Sequence, residues 1–93
     1  MERRLLSTGE IASELSKLNG WQANDNKLTR KFTFANFAES LAFVNRVGEI
    51  AEAADHHPDI TFGWGYAEIS TTTHDRGGIT DVDIALATKV DQI

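Results

Sequence analysis

The sequence predicts an α+β protein: a four-stranded antiparallel sheet carrying three helices on one face, in the order α-β-β-α-β-β-α. Three observations lead there. Polar pairs with capping spacing precede three stretches of helical periodicity, two runs of aromatic and β-branched residues fold back as hairpins, and helices and hairpins alternate without linker or repeat. At 93 residues the chain is sized for a single domain spanning residues 1–93.

Ser7 with Glu10 has the spacing of a capping box, and Ile11, Leu15 and Leu18 recur at i, i+4, i+7 until Gly20, which predicts a helix over about 8–19. Trp21-Gln22-Ala23, the turn-rich Asn24-Asp25-Asn26, and Leu28 to Phe34 form a first hairpin, with Leu28, Phe32 and Phe34 on one parity and Arg30 interrupting that face. Asn36 with Glu39 repeats the capping spacing. From Phe37 to Asp55 there is no Pro and one Gly, so a long helix follows. Phe37, Leu41, Val44, Gly48 and Ala51 make one apolar stripe on it, and Phe43, Val47, Ile50 and Ala54 make another. One stripe can cover the sheet. The other would lie in water in a monomer, so this helix is expected to meet a second copy of the chain.

Beyond His56-His57-Pro58-Asp59, Ile60 to Trp64 and Tyr66 to Thr73 read as a second hairpin, with Gly63 and Gly65 marking a tight reversal or bulge. Asp75-Arg76-Gly77-Gly78 is a turn, and Thr80 with Asp83 caps a last helix through Val82, Leu86, Val90 and Ile93.

Composition removes several function classes. Without cysteine there is no disulfide framework, thiolate metal site or cysteine nucleophile. A net charge of −5 with no basic cluster argues against direct binding of nucleic acid. No run approaches a membrane span, and Met1-Glu2-Arg3-Arg4-Leu5-Leu6 has too few apolar residues for a signal peptide, so a cytoplasmic protein is expected.

All three histidines, His56, His57 and His74, fall just outside the expected helices and strands, where functional side chains concentrate. Imidazole titrates near neutral pH, so it can protonate a leaving oxygen or take a proton from nitrogen without extreme tuning. Glu52, Asp55, Asp59, Asp75 and Asp83 surround them in sequence. Taken singly, each has an ordinary structural explanation: a polar loop for the His pair, a strand end for His74, a helix cap for Asp83, a solvated helix residue for Glu52, core or interface for Trp64. A metal site is disfavoured, because His56-His57 and His74 match no common zinc spacing.

As a set, the residues resemble the pterin-4a-carbinolamine dehydratase family. The resemblance rests on Glu52-Ala53-Ala54-Asp55-His56-His57-Pro58, then Trp64, His74 and Asp83 at the family's spacing. Gly20-Trp21, Arg30-Lys31-Phe32-Thr33-Phe34 and Thr73-His74-Asp75-Arg76-Gly77-Gly78-Ile79-Thr80 flank them. It covers roughly residues 10 to 92. Two departures stand out: Trp64 where the family commonly has Tyr, and Ala67 and Thr71 where a strand usually carries aliphatics.

The resemblance implies loss of water from a 4a-hydroxytetrahydropterin to give the quinonoid dihydropterin, as in tetrahydrobiopterin recycling, with no metal or organic cofactor. It implies His56 and His74 as general acid and base and His57 as a catalytic residue that chiefly binds and orients the pterin. Glu52, Trp64, Asp83 and His57 would make up the substrate-binding set: Glu52 would accept a hydrogen bond from an imidazole or the pterin, Trp64 would pack on the heterocycle, and Asp83 would orient His74. A homo-oligomer, dimer or tetramer, is expected through the Phe37–Asp55 helix and the sheet edges. Three alternatives stay open: a non-catalytic dimerisation cofactor of a transcription factor on the same scaffold, an enzyme of another pterin or of molybdopterin metabolism, and a structural metal-binding domain.

Overall fold

The protein is described by a computed structural model covering residues 3–93; Met1 and Glu2, part of the start read above as too poor in apolar residues for a signal peptide, lie outside the described residues. The first helix, α1 (Thr8–Leu15), begins at a reciprocal cap in which Ser7 Oγ accepts from the Glu10 amide and Glu10 Oε1 accepts from the Ser7 amide. It ends four residues short of the predicted Asn19. Lys17 and Leu18 donate to Glu14 and Leu15, so the periodic residues continue as a tightened turn that delivers Trp21 to the core.

Strands β1 (Gln22–Asn24) and β2 (Lys27–Thr33) are joined by Asp25 and Asn26, both left-handed at φ 52° and 63°. That is the signature of a two-residue hairpin turn matched to strand twist, and Asn and Asp tolerate it best after glycine. Helix α2 (Phe37–Ala54) starts where Asn36 Oδ1 accepts from the Glu39 amide. The expected reciprocal bond is displaced by one residue, because Glu39 Oε1 takes the amide of Ala35. Strands β3 (Asp59–Gly63) and β4 (Tyr66–Thr71) turn through Trp64 and Gly65, where Gly65 has φ +80° and its carbonyl accepts from the Phe34 amide. A 3-10 turn (His74–Arg76) leads to α3 (Asp81–Val90), capped by Thr80.

The observed order, α-β-β-α-β-β-α with a four-stranded antiparallel sheet, is the one expected, and its strands run β1-β2-β4-β3. Register puts Leu28 opposite Thr71, Arg30 and Ile60 opposite Ile69, and Phe32 and Phe62 opposite Ala67, so these residues share one face. Against that face lie Phe43 and Val47 of α2 and Leu86, Ala87 and Val90 of α3. The other face is polar, with Thr29 bonded to Ser70 and Lys31 over the Tyr66 ring.

Arg30, the interruption in the apolar face, is accounted for by partners far away in sequence. Its guanidinium lies over Phe32 and donates to Asp91 Oδ1 at 2.6 Å, where Trp21 Nε1 also donates at 2.8 Å. This ties the end of α3 to β2. Of the two stripes on α2, the one through Phe43 and Val47 is buried, whereas Phe37 and Leu41 keep 44% and 40% of their surface exposed.

Candidate active site

At the C-terminal end of α2 the chain must turn from helix into β3, and Asp55 does this in the left-handed conformation (φ 51°, ψ 42°). The His56 amide then donates to the Ala51 carbonyl, and adjacent imidazoles part company: His56 goes inward at 8% exposure, His57 outward. At this same end of the sheet, where Asp59 pairs with Ser70, the exit of β4 delivers Thr72 and Thr73, and the 3-10 turn delivers His74 and Asp75. These residues, with Arg3, Asp55, His56 and His57, line one open cleft of ≈ 340 Å³. All three histidines therefore meet at one place.

Beneath the cleft lies a carboxylate with no exposed surface, Asp83. Its Oδ1 is 2.6 Å from His56 Nε2 and accepts from Thr71 Oγ1 at 2.6 Å; its Oδ2 accepts from Thr73 Oγ1 at 2.8 Å and from the Thr80 amide at 2.9 Å. A carboxylate only accepts, so the proton in the His56 contact sits on Nε2. His56 Nδ1 makes no hydrogen bond among the described residues and is not sealed from solvent. The side chain lines the cleft, and in a neutral ring this Nδ1 is the acceptor nitrogen.

The sequence expectation that Asp83 orients His74 is therefore corrected: the partner is His56. Spacing alone favours the nearer histidine, but α3 packs against α2, and this brings Asp83 under the α2 exit. Glu52 Oε1 does meet an imidazole, that of His57 Nε2 at 2.8 Å, in an exposed pair. His74 is exposed at the rim. Trp64 is not brought to the histidines. It sits 71% exposed at the tip of the β3–β4 hairpin, on the order of 15 Å from the Asp59 end at about 3.3 Å per residue.

Thr71 and Thr73 are site residues that the sequence reading passed over. Their signal was present: with Ala67 and Ile69 they fall on the inward parity of the strand, and a hydroxyl sealed there must find a partner. Among the described residues, no group of three or more His, Asp or Glu side chains converges as a metal centre would need.

The fold and the cleft define a small α+β protein in which three histidines line one cleft and one of them, His56, rests on a buried carboxylate. A family model described as pterin 4 alpha carbinolamine dehydratase matches residues 4–93, and the chain belongs to that family. A relative from Thermomicrobium roseum is 48% identical over 88 residues, 95% of each chain, and one from Picosynechococcus sp. is 47% identical over the full length of both. Both are provisionally named pterin-4-alpha-carbinolamine dehydratase. Among solved structures, a transcriptional coactivator/pterin dehydratase from Brucella melitensis superposes with a TM-score of 0.91 at 31% identity, covering 96% of this chain and 97% of that one. A pterin dehydratase-like protein described as a RuBisCO assembly factor in the alpha-carboxysome gives 0.63 at 27% identity, covering 77% and 83%.

Proposed function

We infer that this chain dehydrates 4a-hydroxytetrahydropterins by histidine acid/base catalysis. The observation that carries the reading is the meeting of His56, His57 and His74 in one cleft, with His56 backed by Asp83. In the reaction the C4a–O bond breaks as the lone pair of the neighbouring ring nitrogen forms a C=N bond. One proton goes to the leaving hydroxyl, which departs as water, and one is lost from the resulting cation. His56 Nδ1 is suited to accept a proton, and exposed His74 can donate one and be recharged from solvent. His57, steadied by Glu52, orients the ring. Asp83 serves His56 and not the substrate, and Trp64 contributes to the cleft of this same chain in no way that its position allows.

The test is dehydration of freshly generated 4a-hydroxytetrahydropterin, followed spectroscopically. His56→Ala and His74→Ala should each lower the rate by roughly 10²–10⁴, the range of a positioned acid or base. A folded wild type that gives no acceleration would sink the reading.

A second reading has an observation of its own. Phe37, Leu41 and Trp64 are exposed apolar side chains away from the histidines, and two structural neighbours are described as a transcriptional coactivator and an assembly factor. A binding role of that kind would survive both histidine substitutions. Homo-oligomerisation, through the α2 face or through the open edges of β1 and β3, covers the same side chains with fewer assumptions.

A further inference from the structure

Thr71 is 1% exposed at the end of β4, and its hydroxyl donates to Asp83 Oδ1 at 2.6 Å, the oxygen that also receives His56 Nε2–H. With Thr73 Oγ1 and the Thr80 amide on Oδ2, four donors meet a carboxylate that offers about four lone-pair sites. Thr80 Oγ1, at 3.5 Å, adds little. We propose that Thr71 is a positioning residue of the acid/base site: by filling Oδ1 alongside His56 it locks the Asp83 carboxylate, holds His56 as its Nε2–H tautomer, and so presents Nδ1 to the reacting molecule.

The physical reason is the cost of an empty lone pair in a buried place. Without the Thr71 hydroxyl, Oδ1 would be one donor short, and a buried carboxylate in that position recruits water or draws the His56 proton toward itself. In the first case the carboxylate can turn and the ring with it; in the second the Nε2 proton moves to Asp83 while Nδ1 takes one from solvent, which is the other tautomer. Thr73 and Thr80 are less separable from folding, because their hydroxyls bond each other at 2.8 Å and Thr80 caps α3. Thr71 hydrogen-bonds through its side chain to Asp83 and can be altered by one atom. The charged and titratable groups around His56 are Asp83 and Lys89 from α3, Asp55 and His57 from the α2 exit, Arg3 from the N-terminal segment, and His74 and Asp75 from the 3-10 turn.

Thr71→Val replaces the hydroxyl by a methyl of similar size, and Thr71→Ser restores the hydroxyl without the methyl. Two readouts are needed: long-range ¹⁵N–¹H NMR of the His56 ring across pH in the unliganded protein, and kcat and KM for the dehydration. Wild type and Thr71→Ser should show one Nε2–H tautomer. Thr71→Val should show a tautomer mixture, a displaced pH profile and a kcat reduced on the order of tenfold at nearly unchanged KM, part of the roughly 10²–10⁴ that a positioned base contributes. A valine variant with the wild-type tautomer and pH profile overturns the proposal, and so does a serine variant that fails to restore them. If the valine variant does not fold, Thr71→Ala is read in the same way. The kinetic half rests on the dehydratase reading, and the two can fail separately. An inactive wild type whose His56 tautomer still responds to Thr71→Val removes that reading and keeps the assignment of Thr71.

Discussion

Asp55 is a non-glycine residue in left-handed backbone, a conformation that costs an L side chain roughly 1–2 kcal/mol and persists where something requires it. Here the requirement is direction, since the residue that follows must enter the site while the next must leave it. Asp55 also lines the histidine cleft and a second cavity of ≈ 300 Å³ that His56 and Arg3 line as well. Asp55→Gly should change stability in denaturant by less than about 1 kcal/mol, because relieved strain is offset by extra freedom of the unfolded chain. Its dehydration rate should nevertheless fall as the carboxylate leaves the cleft. A loss of several kcal/mol instead would make Asp55 a structural residue. Legibility at this scale followed locality: the histidine motif stood in the sequence, but the partner of His56 lies 27 residues away and is chosen by packing.

Caps and turns were legible because their hydrogen bonds close within three residues. Ser7–Glu10 and Thr80–Asp83 form as the spacing predicts, and Asn24-Asp25-Asn26 makes its turn. The end of α1 was not, because nothing local to Ser16 stops it; the chain leaves the helix to seat Trp21. Electrostatics at the α1 start gives a pH test. The Ser7 amide and then the Arg4 guanidinium hold the Glu10 carboxyl below the ordinary glutamate range. A lowered folded value means the cap's contribution is complete above the ordinary glutamate pKa and is lost as pH falls through the lowered one. The Ser7 amide resonance should therefore titrate at a pH below that of a free glutamate, and Glu10→Gln should abolish the transition. In the sheet, Ile69 is fully buried on β4 between Arg30 and Ile60. Ile69→Ala should cost about 2–5 kcal/mol in chemical denaturation, against well under 1 for Thr61→Ala on the exposed edge strand.

For the molecule as a whole, Phe37 and Leu41 stay 44% and 40% exposed, although the Phe37 ring packs against Phe62, and a second copy of the chain would cover them. Light scattering should give a mass that is a multiple of 10.3 kDa, and Leu41→Glu should lower it if the α2 face is the contact. An unchanged oligomer would leave the edges β1 and β3 as the contact, and a monomeric wild type would remove self-association altogether. The strand pairing has a further result in time. β2 and β4, the two middle strands, join Leu28 to Thr71, so they cannot meet until α2 and β3 have been accommodated between them. Contacts of such long sequence separation close slowly, whereas a capped helix like α2 and the short hairpins can form early. Asp83 comes from α3, the last element of the chain, and reaches His56 across 27 residues, so this contact too needs tertiary closure. During refolding, helical signal should therefore return before catalysis does, and regained turnover becomes a clock for the final step of assembly.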